Sequence, residues 1–174
     1  MGIQFETDYN METLTAMAKS LRKTVRKKRS RRVHIFAAVV LILGLLTILA
    51  TTAGGEPPGA SGVVTLLALL VVILVSLFED RLNAWFAKKR LLPGTEHAVA
   101  TFEEDGYVSA TGVTESRFSY AQIVAIAETA RYFVFALSSH HTQAYDKRTI
   151  RGGSVEDFRA FIAEKTGKLV EKIK

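Results

Sequence analysis

His140 and His141 form the pair most suggestive of metal ligation in this 174-residue chain. Adjacent loop histidines have no metal-binding spacing, and no nearby carboxylate has an evident claim to complete a site, so they read as solvated. Glu103, Glu104 and Asp105 could hold a cation, but with Gly106 behind them they read as the exposed tip of a hairpin. Lys147, Arg148 and Arg151 are the basic cluster of the C-terminal region and have the chemistry to contact an anionic headgroup or ligand. His34 stands at the edge of an apolar run, within reach of water, which makes it a poor proton relay. There is no phosphate-binding glycine loop, nucleophile elbow, HExxH or plausible acid/base pair. The absence of cysteine excludes disulfides, Cys-ligated zinc and a thiol nucleophile. These residues imply no catalytic group, no metal and no cofactor, and they predict a non-enzymatic protein.

The elements around them are more informative. Residues 33–52 (VHIFAAVVLILGLLTILATT) and 60–78 (ASGVVTLLALLVVILVSLF) carry no charged side chain. A helix of about 20 residues rises about 30 Å, the hydrocarbon thickness of a bilayer. One such run could be a buried helix, but two in so short a chain would need a soluble core that the remaining sequence cannot supply. Both are predicted to be transmembrane. Residues 53–59 (AGGEPPG) stop a helix and turn the chain, which forces an antiparallel hairpin with a short outer loop.

The formal charge of +6 is unevenly spread. Residues 1–32 hold nine Lys/Arg against three acids, whereas residues 97–174 hold ten of each. Arg22, Lys23, Arg26, Lys27, Lys28, Arg29, Arg31 and Arg32 precede the first run, and Arg81, Lys88, Lys89 and Arg90 follow the second. The hairpin loop has none. By the positive-inside rule this predicts a multi-pass protein of the cytoplasmic (inner) membrane with both termini cytoplasmic. A cleaved signal peptide is the rival for the first run, but the basic leader is too long for one. Nucleic acid is not an expected partner, since the C-terminal region is neutral and no aromatic side chain interleaves the leader cations.

No Pro or Gly occurs between Ile3 and Leu43, so a helix capped by Asn10 is expected to run without interruption from residues 1–32 into the first span. Leu14, Met17, Leu21 and Val25 form an apolar stripe on it, which must pack on the soluble domain or on a second copy. Its cations read as a topology signal, with recognition of anionic lipid as the sharper alternative. In the interfacial segment 79–96, Trp85 and Phe86 beside Lys88, Lys89 and Arg90 are predicted to anchor at headgroup level.

From residue 97 the pattern changes to period two, with strands predicted at 97–103, 107–111, 115–119, 124–128, 132–137 and 143–146. Ser154 and Asp157 then resemble a capping box that opens a helix ended by Gly167, with Val155, Phe158, Phe161 and Ile162 on one face. The predicted fold is membrane α+β: a transmembrane helical hairpin followed, over residues 97–174, by a PH-like antiparallel domain whose open end is plugged by this helix. Ile3, Phe5 and Tyr9 alternate in the N-terminal segment, which could add an edge strand to the sheet.

The chain resembles the YcxB-like membrane proteins. The residues that carry the resemblance are Phe5-Glu6-Thr7-Asp8-Tyr9, Tyr120, the ETARYFVF stretch at 128–135, and Lys147-Arg148 before Thr149. The resemblance implies the same architecture of basic helix, two-span hairpin and PH-like domain, and it brings no reaction with it. The expected function is therefore a membrane-anchored interaction or regulatory module, with a protein partner or a homo-oligomer beside the bilayer. The alternative is a small subunit of an oligomeric transport or pore complex capped by the domain. The uncharged spans disfavour a conducting path.

Overall fold

The computed structural model describes residues 2–53 and 59–173. An N-terminal strand, β1 (Ile3–Asp8), leads into helices α1 (Met11–Lys23) and α2 (Lys27–Thr52). Helices α3 (Ala60–Leu77) and α4 (Glu79–Lys89) follow. Strands β2 (His97–Phe102), β3 (Tyr107–Thr111), β4 (Glu115–Phe118), β5 (Ala125–Glu128), β6 (Tyr132–Ala136) and β7 (Thr142–Asp146) precede helix α5 (Val155–Thr166) and a last strand, β8 (Val170–Lys172). The loop expected at residues 53–59 lies outside the described residues except for its two ends.

The helix expected to run unbroken from Asn10 is broken. Asn10 does cap α1, its side chain accepting from the amides of Glu12 and Thr13. The last turn of α1 closes on itself, however, with Thr24 Oγ1 and the Thr24 amide both bonded to the Ser20 carbonyl and the Arg26 amide reaching Leu21. Packing overrides continuity here: α1 must lie along the domain and α4, whereas α2 leaves both. The stripe of Leu14, Met17 and Leu21 meets the soluble domain and α4, with Leu14 and Leu21 buried.

Helices α2 and α3 lie side by side and are long and apolar enough to cross a membrane. They approach closely where Gly44 faces the buried Leu69; a Cβ at Gly44 would stand 2.6 Å from Leu69 Cδ2. Most of their other large apolar side chains, including Phe36, Leu49, Val64 and Leu77, point outward and are exposed.

The strands form two four-stranded sheets, in the orders β1-β2-β3-β4 and β7-β6-β5-β8. The N-terminal segment is an edge strand, with Ile3 opposite Phe102 and Asp8 opposite His97. Every pairing is antiparallel except that of β8, which runs parallel to β5 and was not expected. Three side-chain and backbone links join β1 to β7 and to the segment that follows it. Thr7 Oγ1 accepts from the Asp146 amide, Thr149 Oγ1 bonds both backbone groups of Glu6, and Gln4 pairs with Arg151.

Between the sheets lies an aromatic core in which Phe5, Phe102, Phe133 and Phe135 pack against Phe158 of α5, with Tyr145 against Phe5, Phe102 and Phe135. The capping box at Ser154 and Asp157 forms as expected, and Gly167 ends α5 with φ +63, a left-handed conformation that glycine adopts without strain. Phe158 and Ile162 are fully buried, and Phe161 packs at the margin.

Phe5, which arrives from the N-terminal edge strand, touches four of these rings. Phe5→Ala is expected to destabilise the fold by about 3–5 kcal/mol. Equilibrium denaturation of the detergent-solubilised chain measures this, with the exposed Val113→Ala as a control near zero.

Candidate functional site

Four parts of the chain converge where the two apolar helices meet the domain. Helices α1 and α4 pack together, and Arg22 on α1 grips Asp80 on α4 with two parallel bonds, Nε to Oδ1 at 2.7 Å and Nη2 to Oδ2 at 2.6 Å. Glu79 stands 3.8 Å from Arg22 and 3.7 Å from His34, the histidine at the edge of the first apolar run. Just below, Arg26 donates through Nε to the Ser139 carbonyl at 2.6 Å and lies 2.9 Å from His140 Nδ1, which ties the β6–β7 connection to the start of α2.

These residues border a partly open cavity of about 570 Å³. Its apolar lining includes Leu14, Met17, Leu21, Val33 and Phe86, and its charged lining Arg22, Arg26, Arg29, Arg90 and Glu79. Sequence reasoning grouped most of these cations by their position before or after an apolar run. It did not find that Arg90 and His140 join Arg26 and Arg29 around one space. Only the antiparallel packing of α1 on α4 brings them there.

The basic cluster of the C-terminal region is placed differently. Lys147 Nζ meets Glu128 Oε1 at 2.8 Å, Arg148 turns back onto Asp146, and Arg151 reaches Glu6 at 3.0 Å. Each of the three thus ends on a carboxylate of its own chain. Arg159 adds two bonds to Glu128, at 2.7 and 2.8 Å. Glu128 is buried, yet its carboxyl is held at about 2, below the ordinary 4.5, chiefly by the Arg159 bonds and then by Lys147, against the opposing cost of burial.

The remaining candidates sit apart from one another. His141 is exposed on the β6–β7 connection, and no group of three or more metal-ligating side chains occurs among the described residues. Trp85 and Phe86 make an edge-on ring pair on α4, both about half exposed, with Lys89 Nζ 3.7 Å above the Trp85 ring. Lys27, Lys28, Arg31 and Arg32 are exposed around the first turns of α2, and Glu103, Glu104 and Asp105 form an exposed turn.

One buried polar group in the core could be mistaken for catalytic machinery. Tyr107 and Tyr145 both donate to Gln143 Oε1 at 2.8 Å. Burial pushes both phenols well above their ordinary value, so neither would give up a proton under ordinary conditions. The trio satisfies hydrogen bonds inside the aromatic core.

Together these features define a class: a two-sheet α+β unit closed by a C-terminal helix and built onto two long apolar helices. Residues 102–162, from the end of β2 into α5, match the family model of the YcxB-like proteins. Tyr120, the ETARYFVF stretch and Lys147-Arg148 all lie in the matched segment, so the resemblance to that family is shown there. No curated protein and no solved structure matches the chain.

The Glu128 cluster has a pH signature. Because the folded carboxyl is held below its ordinary value, its stabilisation is complete above about 4.5 and is lost as pH falls toward about 2. Glu128→Gln is expected to lower the thermal unfolding midpoint at neutral pH and to flatten its decline across that window. Parallel midpoint-versus-pH curves for the two proteins would contradict this.

Proposed function

We propose that the chain is an integral membrane protein of the YcxB-like type, in which α2 and α3 span the bilayer and a PH-like domain is displayed at the cytoplasmic face as a non-enzymatic interaction or regulatory module. The observation that carries this reading is the outward apolar surface of α2 and α3. Of the most apolar window in each helix, 0% and 11% respectively is buried by the rest of the chain. Exposed apolar surface on this scale is unfavourable in water and favourable in hydrocarbon.

Orientation follows from charge. Eight cations cluster between Arg22 and Arg32 and four between Arg81 and Arg90, with none between the two apolar runs, as the positive-inside rule requires of an inward-facing domain. The PH-like assignment is supported by two packed sheets with a C-terminal helix filling the opening between them. A non-enzymatic role is supported by what its ionisable groups do: Glu128 is bonded by Arg159 and Lys147, Asp146 by Arg131, and the buried Tyr107 and Tyr145 donate to Gln143. The partner in this reading is a protein or a second copy of the chain.

The natural absence of cysteine makes the topology simple to test. In intact cells a membrane-impermeant maleimide is expected to label Glu56→Cys in the hairpin loop at once, and Ser116→Cys in the domain only after the cells are permeabilised. The reverse pattern would contradict the orientation, and labelling of neither variant before permeabilisation would contradict the hairpin.

A further inference from the structure

We propose that the cavity at the foot of the hairpin is a binding site for a phosphate ester anion, supplied either by the headgroup of an acidic phospholipid or by a soluble phosphate. Charge is the first argument. Four arginines line the cavity against the single carboxylate of Glu79, and Asp80 is taken up by its two bonds to Arg22. Arg26, Arg29 and Arg90 reach no carboxylate among the described residues, although most cations elsewhere in the domain do. Arg26 is held by the Ser139 carbonyl and His140, which leaves Arg29 and Arg90 as exposed cations on the cavity lining, and an anion placed between like charges is favourable.

Geometry is the second argument. A guanidinium presents a planar fork of donors that matches the oxygens of a phosphate, and Arg29 and Arg90 bring two such forks to one cavity lining. A volume of about 570 Å³ accommodates a small headgroup but not a nucleic-acid strand.

Position is the third. The lining includes Val33, the first residue of the first apolar run, and Glu79, the first residue after the second. The cavity is thus level with the start of α2 and the end of α3, the same end of the hairpin. Val33 and Phe86 in its lining are themselves about half exposed, apolar surface against which an acyl chain could lie. The acidic turn at Glu103, Glu104 and Asp105 is a separate part of the domain and takes no part in this cavity. The lipid form of the proposal rests on the membrane reading above; the soluble form does not.

The test titrates the detergent-solubilised full chain with dihexanoyl phosphatidylglycerol, dihexanoyl phosphatidylcholine and inorganic phosphate, following the fluorescence of Trp85, the sole tryptophan, whose ring contacts Phe86 of the cavity wall. Saturable binding of phosphatidylglycerol, weakened about tenfold or more in R29Q/R90Q, is the expected result. The K27Q/K28Q variant removes the same charge from the same region but outside the cavity lining, and it is expected to change affinity much less. Inorganic phosphate binding as tightly as the lipid would assign the site to a soluble phosphate; binding much more weakly would assign it to the headgroup. Equal losses in the two double variants, or no saturable response to either anion, would overturn the site. Unfolding midpoints without probe check that both variants are folded; should R29Q/R90Q unfold early, R29Q and R90Q are titrated singly, with the same direction of change expected in each.

Discussion

The position of α1 governs the rest of the molecule. Its outer neighbour is α4, gripped through Arg22 and Asp80, and its inner neighbour is the second sheet, where Ala16 and Met17 cover Ala127, Tyr132, Val134 and Ala144. Polar contacts fix its register: Thr13 Oγ1 bonds the Asp8 carbonyl and Tyr132 Oη, and Arg131 pairs with Glu12. Because α1 also joins β1 to α2, the chain cannot place the domain without placing the apolar hairpin. The break at Thr24–Arg26 is where the two requirements meet.

This arrangement accounts for what the sequence did and did not make legible. Most strands stood out through alternation and turn residues, as in Glu104-Asp105-Gly106 between β2 and β3. β6 is different, since all five of its residues are buried and its YFVFA pattern does not alternate. One face meets the aromatic core and the other meets α1, so an unalternating run was the sign that something covered the second face. β8 was missed because it is three residues long with mostly exposed side chains, and it forms only because the end of α5 delivers it beside β5. The unbroken helix was a fair reading of local propensity, which tertiary packing overrode.

The site was legible in composition but not in arrangement. Lys147, Arg148 and Arg151 look alike in sequence to Arg26, Arg29 and Arg90. Their difference lies in acidic partners brought from elsewhere in the chain: Glu128 and Glu6 for Lys147 and Arg151, and no carboxylate for the second group among the described residues. Pairing of this kind is decided by topology, and one-dimensional charge runs do not report it. In the proposed membrane reading, Arg29 before the first span and Arg90 after the second both orient the hairpin and line the cavity, so the same cations serve topology and recognition.

The central claim is that the domain is held on the hairpin through α1 and is not tethered by a free linker. The cysteine-free background allows two spin labels, at Leu67→Cys on α3 and Arg117→Cys on β4, both exposed positions. Double electron–electron resonance on the reconstituted chain should give a single narrow distance distribution that broadens when Leu14 and Leu21 are both replaced by Asp. A broad distribution in the otherwise native chain would contradict the account.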